Sequence, residues 1–255
     1  MSRDIWDPAT YARYADERSR PFFDLTNRID ADNPDYVVDA GCGSGELTAA
    51  LARRWPKATV YGFDSSPAMI TKARQIEGVR FDVADVTLWR PDRPIDVLVS
   101  NAVLQWVPTH QDLLEHWADA IRPGGWLAFQ MPGNYDAPSH ALVRELCKTP
   151  AWSDRLGDFD RPWPVKQPVD YVDQLRGFQT DAWETTYIHI LRGDDAVLNW
   201  ISGTALRPIL DRLTEKEADH FKKDLKEKLD VAYPRKPYGT PFPFRRIFVV
   251  GRKKK

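Results

Sequence analysis

Four acidic or amide side chains stand where short apolar runs end, and they are the groups in this sequence best placed to hold a ligand. Asp39 closes the run Val37-Val38 and is followed at once by Gly41-Cys42-Gly43-Ser44-Gly45. Asp64 closes Thr59-Val60-Tyr61-Gly62-Phe63, Asp85 follows Val79-Arg80-Phe81, and Asn101 follows Ile95-Asp96-Val97-Leu98-Val99. In an open α/β sheet, ligands bind at the carboxyl ends of strands, so four such groups in succession form a constellation rather than a coincidence. An acid at the end of the second strand can accept hydrogen bonds from both hydroxyls of a ribose. At Asp85 a carboxylate can accept from an adenine amino group, with Val86 against the ring.

The glycine turn qualifies this reading. Glycines at 41, 43 and 45 leave room for a ligand to approach the backbone, and amides beside a helix N-terminus favour an anion. The dinucleotide fingerprint is G-x-G-x-x-G; here the spacing is G-x-G-x-G, with Asp39 just before it. That spacing weakens an NAD reading, and a carboxylate in that position suits a ligand that carries a positive amino group; Asp64 suits NAD and other adenosine cofactors alike.

The elements that must position these groups alternate between strand and helix. Strands are expected at Tyr36–Asp39, Thr59–Phe63, Val79–Phe81, Ile95–Val99 and Trp126–Met131. Between them lie helical patterns through Leu47, Leu51 and Trp55, through Met69, Ile70 and Ala73, and through Leu113, Leu114, Trp117 and Ile121. Such alternation predicts a parallel sheet with helices on both faces. Residues 8–29 read as an N-terminal helical region in two pieces, broken around Arg18-Ser19-Arg20-Pro21, with Tyr11, Tyr14 and Arg18 able to share a face. After Pro132 the rhythm changes: a Pro-, Trp- and charge-rich stretch at 133–181 carries a helix near His140–Cys147. A strand at Trp183–Leu191, a mainly helical stretch at 194–232 and a last strand at Arg246–Val250 follow. No helix-length segment separates that last strand from the Pro-rich 234–243, so it is expected to run antiparallel.

Composition excludes several classes. Over 255 residues the formal net charge is −1 and the hydrophobic share 42%, which allows a real core but gives no general attraction to nucleic acid or anionic membrane. Two cysteines cannot make a disulfide framework and point to a reducing, cytoplasmic setting. The start lacks the apolar core of a secretory signal, and no apolar run approaches the roughly 20 residues of a membrane helix. No zinc spacing, P-loop or Ser-His-Asp arrangement is visible. Ten tryptophans, many outside the expected strands, fit either ordinary core packing, the more common role for any one of them, or an aromatic-lined pocket or lid.

The run Val38-Asp39-Ala40-Gly41-Cys42-Gly43-Ser44-Gly45, with Gly62-Phe63-Asp64-Ser65-Ser66-Pro67-Ala68-Met69, Ala84-Asp85-Val86 and Arg122-Pro123-Gly124-Gly125, resembles the class I S-adenosyl-L-methionine-dependent methyltransferases. The resemblance implies S-adenosyl-L-methionine as cofactor. Gly41 and Gly43 would pass by its methionine part, Asp64 would hold the ribose and Asp85 and Val86 the adenine, with Asp39, Ser65, Met69 and Asn101 as further cofactor-binding residues. It also implies an α/β, Rossmann-like seven-stranded mostly parallel sheet with helices on both faces and an antiparallel last strand. The expected organisation is one domain over 1–255: a helical cover at 1–30, a cofactor-binding core at 36–131, and substrate-lid insertions at 133–181 and 194–240.

A narrower resemblance, to carboxyl O-methyltransferases of that family that act on a small tricarboxylate, rests on Glu17-Arg18-Ser19-Arg20-Pro21, Asn101 to Pro108, Gln130 to Asn134, Thr185-Thr186-Tyr187, Trp200-Ile201 and Leu206-Arg207-Pro208. It implies an acceptor held by arginines, whose fork binds a carboxylate at two points. Arg18, Arg20 and Arg207 are the candidates, with Arg245 as a further option and Trp106 as a wall. A carboxylate is ionised near pH 7, its ordinary pKa being about 4, so no residue is needed as general acid or base; His110 and His189 are not placed for one. No metal is implied. The competing readings are methylation of another small acid, a quinone or a phenol, an NAD-dependent oxidoreductase, and a binding module without turnover. Neither oligomeric state nor the fold of 133–181 is fixed by the sequence.

Overall fold

The computed structural model describes residues 15–159 and 164–255, with side chains from Ser19 onward in the first segment. The expectations for Tyr11 and Tyr14, and for the side chain of Arg18, lie outside the described residues. The first helix, α1, is continuous from Ala15 to Thr26 with Pro21 inside it, so the expected break does not occur. Proline removes one helical hydrogen bond, but Phe22 and Leu25, essentially fully buried, hold the helix down beside that defect.

The elements that follow are β1 (Tyr36–Ala40), α2 (Glu46–Arg54), β2 (Thr59–Asp64), α3 (Pro67–Ala73), β3 (Arg80–Val83) and β4 (Ile95–Asn101), then a 3-10 turn at Leu104–Trp106, α4 (His110–Ala120) and β5 (Ile121–Pro132). The second half holds α5 (Pro138–Cys147), α6 (Ser153–Leu156), α7 (Pro168–Gln174), β6 (Phe178–Leu191), α8 (Ala196–Ser202), α9 (Arg207–Leu210), α10 (Glu215–Ala232) and β7 (Thr240–Lys253). Several boundaries differ from expectation; β7, expected at Arg246–Val250, starts at Thr240, inside the Pro-rich stretch, and runs to Lys253. β5 starts at Ile121 rather than Trp126, because the Arg122–Gly125 stretch is absorbed as an irregularity between the Ile95 and Val97 pairings of β4. β6 starts at Phe178, whose buried ring begins the strand's inward face five residues before Trp183.

All seven strands form one sheet in the order β3-β2-β1-β4-β5-β7-β6. β1 pairs in parallel with β2 and with β4, β2 with β3, and β4 with β5. β7 runs antiparallel to β5, Trp126 facing Arg252 and Pro132 facing Arg246, as the missing crossover helix required. The strand order reverses between β1 and β4, which makes their carboxyl ends the switch point where α/β sheets bind ligands. Buried Asp96 holds the opposite end of this pair, accepting from the backbone N–H of Tyr36 (2.8 Å) and Asp35 (3.1 Å) and pairing with Arg122.

The chain divides into two units. The first comprises residues up to Pro132, 164–185 and 246–255. Its core gathers Val38, Phe63, Leu98, Trp117, Phe129, Tyr171 and Val249, all buried, and the strand residues among them share one face of the sheet. Trp89 stacks at 4.5 Å on Phe63 and holds the loop after β3 against that core. The second unit comprises residues 133–163 and 186–245. In it α5 packs on α10, Trp152 meets Phe221 edge to face at 5.1 Å, and Trp200 is ringed by His189, Phe242 and Phe244.

Candidate active site

The strand-end groups lie in the first unit, around the β1–β4 switch point. The turn after β1 takes its shape from close contacts rather than from ligand clearance at every glycine. A Cβ on Gly41 would lie 2.1 Å from a Val103 methyl, and one on Gly45 would lie 2.7 Å from the Phe81 ring and 3.0 Å from Ala73. Only at Gly43, among these three, would a Cβ meet nothing within 4 Å. The expectation that all three glycines clear a ligand's path is corrected: Gly41 and Gly45 make room for the protein's own side chains, and Gly43 alone opens onto free space.

Two substitutions separate these roles. Gly45→Ala, at φ +82°, is expected to cost about 2–4 kcal/mol by combining a left-handed backbone with a forced contact, read as a lowered unfolding midpoint. Gly43→Asn, at φ +55°, is expected to leave the midpoint within a few degrees, since Asn tolerates that conformation. The same change should weaken nucleoside binding by about tenfold or more, because its side chain fills the open space.

The amides of the turn are corrected too. Gly41 and Cys42 donate to the Phe63 carbonyl at 2.8 and 3.0 Å, Gly45 donates to the Cys42 carbonyl at 3.1 Å, and Gly43 donates to Asp64 Oδ2 at 3.0 Å. These N–H groups are spent inside the protein and offer nothing to a pyrophosphate. The site presents acceptors instead. Asp64 Oδ1 also accepts from the Ser66 N–H at 2.9 Å, so the carboxylate is held at both oxygens; each carboxylate oxygen can accept more than one bond, which leaves capacity for a ligand hydroxyl. Ser66 caps α3 through the Met69 N–H; Ser65 beside it is exposed and Met69 is buried.

Asp39 is strongly perturbed. It is 2% exposed, and Thr48 Oγ1 donates to its Oδ2 at 2.6 Å. Burial pushes its pKa up to about 7; the Thr48 hydroxyl opposes the shift and the neighbouring Asp64 charge adds to it. Two carboxylates thus sit near one turn with no cation, among the described residues, in the contacts of Asp39, an environment that a cationic ligand group would relieve. The same burial, with Asp39 and Asp64, raises the Cys42 thiol far out of the nucleophilic range.

Asp85 is exposed, and its Oδ1 accepts from the Thr87 N–H (2.8 Å) and hydroxyl (2.7 Å). Val86 is partly buried against the core. Asn101 accepts at Oδ1 from Gln130 Nε2. The next residue, Ala102, has φ +59°, a conformation costly for alanine and typical of strained functional turns. Trp106, at the end of the 3-10 turn, is 41% exposed, so it is not a core anchor.

The acceptor-side candidates fall in both units. Arg20 is exposed on α1, 3.7 Å from Asp24 one turn on; such a surface pair is worth little. Arg207 opens α9 in the second unit, half-buried. Arg245, also in the second unit, is tied to the Gly133-Asn134 turn through paired backbone and side-chain bonds. His110 is fully buried, its ring nitrogens engaged by the Val107 carbonyl and the Tyr171 hydroxyl, so it is structural. A cavity of about 460 Å³ in the second unit is lined by none of the strand-end groups, and its cations are already paired, Lys226 with Asp195 and Asp230, Arg235 with Asp194. Among the described residues there is no His/Cys/Asp/Glu cluster fit for a metal, and no helix long and apolar enough to cross a membrane.

Three residues of the site were passed over by sequence reasoning. Thr48 gives no signal beyond its place in the first turn of α2. Gln130 and Arg246, both buried, are polar interruptions of otherwise apolar strand runs, and that is the signal by which they could have been found.

A family profile described as "Methyltransferase domain" matches residues 11–212. The trans-aconitate 2-methyltransferase of Streptomyces coelicolor is 49% identical to this chain, covering 97% of it and 86% of the relative. That of Rhodococcus jostii is 50% identical, covering 96% and 98%. The fold is shared with the YcgJ protein of Bacillus subtilis, at TM-score 0.56 and 16% identity over 89% of this chain and 94% of that one. It is shared also with phosphoethanolamine N-methyltransferase 2 of Haemonchus contortus, solved with S-adenosyl-L-methionine, at TM-score 0.54 and 15% identity over 92% and 53%.

Proposed function

Because the chain belongs to the trans-aconitate 2-methyltransferases, within the methyltransferase-domain family, we propose that it converts trans-aconitate to a monomethyl ester. When bound, S-adenosylmethionine supplies a sulfonium methyl that passes to a carboxylate oxygen as the carbon–sulfur bond breaks, leaving the ester and S-adenosylhomocysteine.

The observation that supports this reading is the polarity of the strand-end site. The N–H groups of Gly41, Cys42, Gly43 and Gly45 are consumed internally, while Asp39 and Asp64 are offered as acceptors. That set fits a ligand bearing an ammonium and a ribose diol better than a dinucleotide pyrophosphate. In this reading Asp39 takes the amino group, Asp64 the ribose hydroxyls with Ser65 and Met69 flanking them, and Asp85 and Val86 the adenine. Gly41 and Gly43 shape the path past the turn, the open face of Gly43 admitting the ligand.

The chain's part in the chemical step is placement. The acceptor carboxylate is already ionised near neutral pH, so no proton has to be moved, and the buried His110 is not called on. What the protein supplies is alignment and exclusion of water. The acceptor's other charges call for cations. Arg18, Arg20 and Arg207 are assigned to them, with Trp106 as an apolar wall.

An acceptor series tests this. Trans-aconitate should turn over, and its neutral trimethyl ester should not compete with it. Arg207→Ala and Arg20→Ala should raise the acceptor KM by about 10–100-fold, the worth of one charge-assisted pair, with the affinity for S-adenosylhomocysteine unchanged. Equal KM values for charged and neutral acceptors would remove the tricarboxylate from the proposal.

A further inference from the structure

A line of three side chains crosses the sheet at the site's edge. Arg246, on β7, is 5% exposed and donates through Nη1 to Oε1 of Gln130 at 3.1 Å. Gln130, on β5, is fully buried and donates through Nε2 to Oδ1 of Asn101, its direct partner across the parallel β4–β5 ladder. The Gln130 carbonyl also accepts from the Ala102 N–H at 2.9 Å, so the residue after Asn101 is tied to the same point.

The chemistry of the three groups fixes the direction of this line. A guanidinium has donors only. Gln130 must therefore turn its oxygen to Arg246, which leaves its NH2 facing Asn101. Asn101 must meet that NH2 with its oxygen, so the group it has left for a ligand is its own NH2. The reverse orientation of either amide would set donor against donor in a buried place, at a cost of several hydrogen bonds. We infer that Arg246 and Gln130 are positioning residues that hold Asn101 as a hydrogen-bond donor to a ligand carboxylate. The inference rests on the proposed function for the identity of that ligand. The carboxylate is either that of the cofactor's methionine end or one of the acid substrate; the recognition chemistry is the same for both.

Gln130→Glu is the discriminating variant. A glutamate pairs with Arg246 and keeps the core filled, but it offers Asn101 an acceptor instead of a donor. Asn101 must then turn its NH2 inward and present its oxygen to the ligand. Binding of S-adenosylhomocysteine and of its carboxamide analogue is measured by calorimetry, and KM is measured for trans-aconitate and its monoamides. Wild-type protein should prefer the carboxylate form of one ligand by at least tenfold. In Gln130→Glu that preference should shrink or reverse for that ligand and stay unchanged for the other, which identifies the source. Gln130→Met, which gives Asn101 no direction, should fall between the two and serves if the glutamate variant does not fold. Unchanged carboxylate preference in both variants, or equal weakening of every ligand form, would overturn the inference. Turnover of trans-aconitate by the unaltered enzyme is scored separately, so a failure of the substrate assignment is not confused with a failure here.

Discussion

Replacing Asp64 by Ala is expected to lower the affinity for S-adenosylhomocysteine by about 10²–10⁴-fold, since two charge-assisted hydrogen bonds of about 1.5–3 kcal/mol each are lost. The carboxylate is held by the Gly43 and Ser66 N–H groups, at 3.0 and 2.9 Å, and in the proposed complex it adds the ribose diol. Removal therefore acts twice. The ligand loses its acceptors, and the turn loses the bond that fixes Gly43, the one glycine of the turn with open space before it. Asp64→Asn keeps the size but turns part of the acceptor into a donor, and should recover little. Calorimetric titration checks both variants, and a loss smaller than tenfold in Asp64→Ala would show that the ribose is held elsewhere.

Asp39→Asn is expected to have effects of opposite sign on binding and on stability. The carboxyl of the folded protein titrates at about 7, against 3.8 for an unperturbed one, because burial disfavours its charged form. A raised carboxyl pKa means that the folded state holds the proton more tightly than the unfolded state. The stability contributed by this group is thus greatest below the unfolded value. It is lost as pH climbs from there through about 7, and above that the full cost of the buried charge remains. The asparagine amide carries no such cost and can still accept from Thr48. At pH 8 the variant should be more stable than the parent, by about 2–4 kcal/mol on the linkage relation, with little difference at pH 4. Binding runs the other way. An ammonium needs the ionised carboxylate, so the parent's affinity for S-adenosylhomocysteine should rise about tenfold per pH unit up to 7 and then level off. The variant should bind weakly, by about 10²-fold at pH 8, with no slope between pH 5 and 8. Thermal unfolding and titration at a few pH values read both effects. A variant that binds like its parent would show that Asp39 meets no cation.

The fold was legible because each apolar run of the first half ends in a polar residue before a helix-like pattern, and five strands in that rhythm admit few arrangements. The antiparallel last strand followed from the absence of a crossover helix before it. The strand-end residues were legible for the same reason: Asp39, Asp64, Asp85 and Asn101 stand just where the runs stop. What could not be read was set by contacts between residues distant in sequence. Gly45 looked like ligand clearance because nothing local says that Phe81 will press against it. The amides of Gly41, Cys42 and Gly43 looked available because their acceptors, the Phe63 carbonyl and the Asp64 carboxylate, belong to the neighbouring strand. Pro21 looked like a helix break because its local cost is visible and the burial of Phe22 and Leu25 is not. Gln130 and Arg246 were visible as polar residues in apolar strands, but only their pairing across β5 and β7 gives them a direction.

The measurement that bears most directly on the central claim is the fate of a labelled methyl group. The protein is incubated with methyl-labelled S-adenosylmethionine and trans-aconitate at neutral pH, and the small-molecule fraction is split into untreated and base-treated halves. The account predicts label in a mono-ester of the acid, one methyl per S-adenosylhomocysteine formed, and its release as volatile methanol by base. Label that resists base, or that appears equally when the acid is left out, would contradict it.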